Sequence, residues 1–81
     1  MPDVSIPQTV LISHEPVELY KILKFEGLVG SGAQAKQVID EGLVSVNDEV
    51  ETRRRRKIVD GDVIRFDTLT LAIVLSAESS S

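Results

Sequence analysis

The chain has 81 residues, 42% of them hydrophobic, with no cysteine and a formal net charge of −4. That length suits one small domain, since even 60 residues bury only roughly 60% of their unfolded surface, and it excludes two lobes enclosing a deep cleft. Without thiols there is neither a disulfide framework nor a thiolate metal site, and a reducing compartment is permitted. The charge is segregated: five of the nine basic residues are Arg53 to Lys57, leaving four bases against thirteen acids elsewhere. An acidic body argues against indiscriminate coating of nucleic acid, yet one basic patch can dock a specific anion if the acids face elsewhere.

Residues 1–8 hold Pro2 and Pro7 and show little periodicity, and residues 76–81 are small and polar. Both ends are therefore expected to be flexible around a single folded domain at 9–75. The start lacks a basic segment followed by an apolar one, so the expected location is the cytoplasm. The apolar run Leu71–Leu75 is five residues where a membrane span needs about 20, and it predicts a buried strand.

In chain order, Thr9–Ile12 predicts a short first strand. Pro16 suits the first turn of a helix from Val17 onward, with Glu18 complementing the dipole there. Leu19, Ile22 and Leu23 fall at i, i+3 and i+4 as an apolar stripe, Lys21 and Lys24 point away from it, and Gly27 marks the stop. Ser31 is the expected N-cap of a second helix over 31–41, with Ala35, Val38 and Ile39 on its inner side and Gly42 as a left-handed stop. Lys36 and Gln37 lie opposite Ala35 and Ile39 and should face solvent or a ligand. The period then changes. Val44 and Val46 alternate with Ser45 and Asn47, Asn47-Asp48 gives a turn and Val50 begins a return strand, which predicts a hairpin. Asp60-Gly61-Asp62 predicts another turn, Val63–Phe66 a strand, and Leu69–Leu75 a last strand after Asp67-Thr68. Helices first and short strands after them predict an α+β domain: two packed helices followed by a β-hairpin and a small, mostly antiparallel sheet.

Arg53–Lys57 cannot be a central strand, because alternating side chains would send at least two cations into the core. Burying an unpaired charge costs several kcal/mol, comparable with the ~5–15 kcal/mol that holds a whole domain together. The stretch is therefore a loop or an exposed edge. Four of the five cations are arginine, whose planar guanidinium forks onto phosphate oxygens where lysine acts as a point charge. Two plainer readings stand beside this one: a solvated turn whose charges discourage edge-to-edge pairing, and a loose match to a nuclear-localisation stretch.

The ordered set Ser31, Ala35, Ile39, Gly42, Val44, Val46 and Asn47, followed by a basic stretch and "VDGDVI", resembles the S-four RNA-binding domain over about residues 17–66. "FEGLVGSGAQAK", "VETRRR" and "KIVDG" are similar to small stand-alone bacterial members, the YbcJ-like group. The resemblance implies an αL motif, two helices and a hairpin, and a non-catalytic protein that recognises structured RNA. Many S-four domains carry arginines just after the capping serine, whereas this chain has Gly32 and Ala33; weight shifts from helix two to the arginine loop. Asp48 stands where a glycine is usual, and aspartate tolerates a left-handed turn.

The expected RNA-binding residues are Lys36, Arg53, Arg54, Arg55, Arg56 and Lys57 on phosphates, with Gln34 and Gln37 adding hydrogen bonds. Lys21 and Lys24 are weaker candidates. A-form RNA is read through backbone shape, phosphates and 2′-hydroxyls, which suits a rigid helix beside an arginine loop. Base stacking is a poor expectation, because the aromatic residues are Tyr20, Phe25 and Phe66 and both phenylalanines are expected in the core. The alternative is an adaptor whose basic loop meets an acidic protein surface on a ribosome-assembly particle. Catalysis fares worst: His14 stands alone beside the N-terminal segment, and Asp60 with Asp62 flank a glycine turn more simply than they bind a metal. No cofactor, metal, membrane or small-molecule substrate is expected, and the protein is expected to be a monomer.

Overall fold

The computed structural model describes residues 7–76 and has the α+β architecture. Its elements are β1 (Gln8–Ile12), β2 (Val17–Glu18), α1 (Leu19–Phe25), α2 (Gly32–Asp40), β3 (Val44–Val46), β4 (Glu49–Val50), β5 (Lys57–Ile58), β6 (Val63–Phe66) and β7 (Leu69–Leu75). Five strands form one sheet in the order β1-β7-β6-β3-β4, while β2 and β5 pair separately. The large sheet is antiparallel except at one edge, where β1 runs parallel to β7 with Val10 opposite Ile73. Of the two end segments expected to be flexible, residues 1–6 and 77–81 lie outside the described residues. Gln8 already belongs to β1, and the Ser76 amide donates to the Ile12 carbonyl at 2.8 Å.

The core forms where the two periods meet. Leu19, Ile22 and Leu23 of α1 and Ala35 and Ile39 of α2 pack with Val10, Ile12, Val44, Val46, Ile64, Leu71 and Ile73 from the inner face of the sheet. Each large side chain sealed there contributes about 1.5–3 kcal/mol. Both helices end alike. Gly27 (φ +73°) and Gly42 (φ +76°) take the left-handed conformation, and the next amides, Leu28 and Leu43, reach back to the carbonyls of Leu23 and Val38. The Ser31 side chain caps α2 by accepting from the Gln34 amide at 3.1 Å. Ser31→Ala should therefore lower stability by about 1 kcal/mol, read as a reduced urea midpoint with an unchanged slope.

The start of the first helix differs from expectation. Pro16 follows a cis peptide bond and precedes β2, so it is not in a helical turn, and Glu18 is the N-cap residue without a capping side-chain bond. The reason is a partner distant in sequence. Val17 and Glu18 pair with Ile58 and Lys57, which holds them extended. The first helical amides, those of Leu19 and Tyr20, then donate to the carbonyls of Arg56 (2.9 Å) and Arg54 (3.2 Å). The arginine loop thus supplies acceptors that the helix lacks.

The hairpin turn at Asn47 (φ 54°) and Asp48 (φ 72°) has the doubly positive backbone that matches strand twist. The Asn47 side chain donates to Asp62 at 3.0 Å and accepts from the Val63 amide at 3.0 Å, locking this turn to the one at 60–62. Asp62 also accepts from the Val59 amide, and Asp60 accepts from the Leu75 amide at 2.8 Å. These two carboxylates are thus occupied in holding turns.

Candidate nucleic-acid interface

The loop Glu51–Arg56 joins the hairpin to β5 and passes beside the start of α1. Its geometry turns on Glu51. Val50 pairs with Ser45 on the outer side of the sheet and is 64% exposed, so the next residue points inward, and Glu51 is only 7% exposed. Its carboxylate accepts from the Arg53 amide (3.0 Å), from Arg53 Nε (2.9 Å) and Nη2 (3.1 Å), and from Arg56 Nη1 (2.6 Å). The Arg53 guanidinium and amide, then Arg56, hold the Glu51 carboxyl down at about 2, against the opposing effect of burial.

Arg54 leaves in another direction. Its Nε donates to Asp40 at 3.1 Å and its Nη2 to the second Asp40 oxygen, a two-pronged clip between the loop and the last turn of α2. The Arg54 hydrogen bond holds the Asp40 carboxyl below the usual carboxylate range. One helical turn back, the Lys36 ammonium lies over the Tyr20 ring, 4.8 Å from its centroid, and the Tyr20 amide is one of those bound to the loop. Lys36, Tyr20, Asp40 and Arg54 are thus contiguous, and helix two and the arginine loop share one surface.

The expected site residues sort into three groups. Arg53, Arg54 and Arg56 have carboxylate partners, while Arg55 and Lys57 form no ion pair among the described residues. Arg53, Arg55, Arg56 and Lys57 line an open concavity. Lys36 is half-buried on Tyr20, which covers one face of the ring that a base would need. Gln34 accepts from the Gly30 amide at 2.7 Å and so helps shape the entry to α2, and Gln37 donates to Glu41 at 3.2 Å across the helix surface. Lys21 pairs with Glu18 at 3.7 Å. Arg65 sits on the outer face of the sheet, paired with Asp48 at 3.4 Å.

One aromatic placement differs from the sequence reading and one agrees with it. Phe25 is 70% exposed rather than in the core: it ends α1, on the side away from Leu19 and Leu23. Phe66 is half-buried against the core. Glu51 is the residue the sequence reading missed. The available signal was strand alternation: with Val44 and Val46 inward and Ser45 outward, a return strand placing Val50 opposite Ser45 sends Glu51 in. Hydrophobicity alone assigns those two residues the other way round. His14 is exposed beside Ser13, and among the described residues no group of three or more His, Cys, Asp or Glu side chains could hold a metal ion. Nor is any helix among them long and apolar enough to cross a membrane.

Known proteins share this fold and much of this sequence. The S4 domain family profile matches residues 10–74. The chain is 49% identical over 61 residues to the Escherichia coli (strain K12) protein named "Putative RNA-binding protein YbcJ", covering 75% of this chain and 87% of that one. It is 38% identical over 58 residues to the Bacillus subtilis (strain 168) protein named "Probable ribosome maturation protein RlbA", covering 72% of this chain and 82% of that one. The solution structure of YbcJ from E. coli, described as revealing an αL motif involved in RNA-binding, superposes with a TM-score of 0.66 at 43% identity. The match covers 91% of this chain and 95% of that one. A family match spanning most of the folded residues, with the same fold in a sequence relative, places this chain in the S4 domain family.

Proposed function

We propose that this protein is a non-catalytic RNA-binding module that recognises structured RNA through the arginine loop and the adjoining face of helix two. The observation that carries the reading is the pair Arg55 and Lys57, cations without a carboxylate partner among the described residues, set in one concavity with Arg53 and Arg56. Arg53 and Arg56 keep N–H donors to spare, because a guanidinium has five and Glu51 takes two from one and one from the other. Lys36 adds a positive charge on the neighbouring face, beside Tyr20 and the Arg54–Asp40 pair. The names of the relatives, one for RNA binding and one for ribosome maturation, support an RNA ligand of this kind. The reading takes the protein as a cytoplasmic monomer.

Phosphate neutralisation has a measurable signature. Each phosphate contacted lowers log K by about 0.7–0.9 per unit of log salt, so about four contacts weaken binding about 50- to 150-fold between 50 and 200 mM salt. A titration of a labelled RNA stem-loop that shows no salt dependence would overturn the proposal. Tighter binding to an acidic polypeptide than to RNA at the same salt would favour the adaptor reading instead. Crosslinking in cells with sequencing of the recovered transcripts would name the ligand.

A further inference from the structure

Glu51 is an anion placed in the middle of a cation site, and its surroundings argue that it serves the site. Resting on the RNA-binding reading above, we propose that Glu51 is a positioning residue: it fixes Arg53 and Arg56 in the geometry that grips phosphate, so this negative charge strengthens the binding of a polyanion.

The local sequence arrangement favours this over a passive counter-ion. The strand exposes Val50 and buries Glu51, the reverse of what hydrophobic burial selects. Such inversions gather at functional positions, where a local rule is broken for a purpose elsewhere. Both carboxylate oxygens are used, and the contacts are arranged around the loop's turn. Arg53 folds back onto Glu51 through its amide, Nε and Nη2, Arg56 arrives from the far side of the turn, and the Arg56 amide closes it onto the Arg53 carbonyl at 3.2 Å. One carboxylate thus orients two guanidinium groups that both line the concavity with Arg55 and Lys57. Arginine loses much side-chain freedom when it is immobilised, and a side chain already held by Glu51 has less left to lose on binding. The held groups are not used up: the Arg53 side chain remains 72% exposed.

The two roles predict opposite signs. Glu51→Gln and Glu49→Gln each remove one negative charge, from adjacent parts of the same hairpin, and Glu49 is exposed on β4. If Glu51 were a counter-ion, E51Q would bind a fluorescein-labelled RNA stem-loop more tightly, as E49Q should. As a positioning residue, E51Q binds about tenfold more weakly despite its lost negative charge, with a salt slope shallower by about one phosphate contact. E49Q binds as tightly as the parent or tighter. Glu51→Asp keeps the charge but withdraws the oxygens by one methylene, and it should also bind more weakly. The Arg53 Nε–H resonance, distinct when held by a carboxylate, should lose its protection from exchange in both Glu51 variants while the core amides keep theirs. Parent-like or tighter binding by E51Q, or by E51D if E51Q does not fold, overturns the inference and leaves the RNA reading standing. Failure of the parent protein to bind the stem-loop at low salt overturns both.

Discussion

Reversing Arg55 and Lys57 together, to Arg55→Glu and Lys57→Glu, should weaken RNA binding at least about 100-fold while leaving the fold intact. Neither side chain makes an ion pair among the described residues, and both are exposed, so no internal contact of theirs is broken. Lys57 does pair with Glu18 in the small ladder through its backbone, which glutamate keeps; the like-charge pair this sets opposite Glu18 costs about 0.2–1 kcal/mol, too little to unfold the domain. At the phosphates the change is large. Each reversal turns an attraction of about 1 kcal/mol at 4 Å in water into a repulsion of similar size, and salt screening removes part of it. Together the two positions weaken binding by about 3 kcal/mol, or at least about 100-fold, and the salt slope falls by about 1.4–1.8. Arg65→Glu is the control, because that side chain lies on the outer face of the sheet. Its affinity should stay within about twofold of the parent at 150 mM salt, where the screening length is about 8 Å. Fluorescence anisotropy with one labelled stem-loop reads all three. Parent-like binding by the double variant would remove the arginine loop from the site.

Replacing Glu51 with alanine should be the most damaging loop substitution for stability. The Arg53 amide and two guanidinium groups lose their acceptor together, and Arg56, with 29% of its side chain exposed, recovers little of it from water. The carboxyl is depressed from 4.5 to about 2, which corresponds to about 3 kcal/mol; water beside the exposed Arg53 screens part of that and leaves about 2 kcal/mol. In a domain of this size, that shifts the melting temperature by about 8–15 °C. The pH dependence has a definite sign. A folded value below the unfolded one means that the unfolded chain binds more protons in between, so the contribution is complete above about pH 4.5 and fades as pH falls toward 2. The melting temperatures of the parent and Glu51→Ala should differ fully at pH 7 and converge near pH 2. A gap unchanged across that range would show that the carboxylate's charge does not hold the loop.

The parts of the fold that could be read from the chain are those where one short stretch contains its own signal. Helix two carries a capping serine, an inward Ala35–Ile39 side and a glycine stop, and the hairpin carries alternating valines around Asn47-Asp48. The β2–β5 ladder was not readable. Each of its strands is two residues long, too short for any period to register, and each is held extended by a partner some forty residues away. Pro16 and Glu18 imitate a helix start because their true constraint lies in Lys57 and Ile58. For the site, the basic stretch announced itself through composition. How its members divide was hidden: which arginines are held by Glu51, which by Asp40, and which are left for a ligand depends on where a buried carboxylate and a helix end come to rest. Phe25 misled for a different reason, since an aromatic residue at the last position of a short helix can overhang the core instead of entering it.

The carbonyls of Arg54 and Arg56 complete the opening turn of helix one, and this ties the length of the basic segment to the integrity of an element some thirty-five residues earlier. Removing one arginine would shift those acceptors out of step and leave a helical amide stranded, whichever of the four codons was lost. Drift in this segment is therefore restricted to exchange of side chains. A chain can recolour the charges that it offers a ligand, but it has little room to lengthen or shorten the ribbon that carries them.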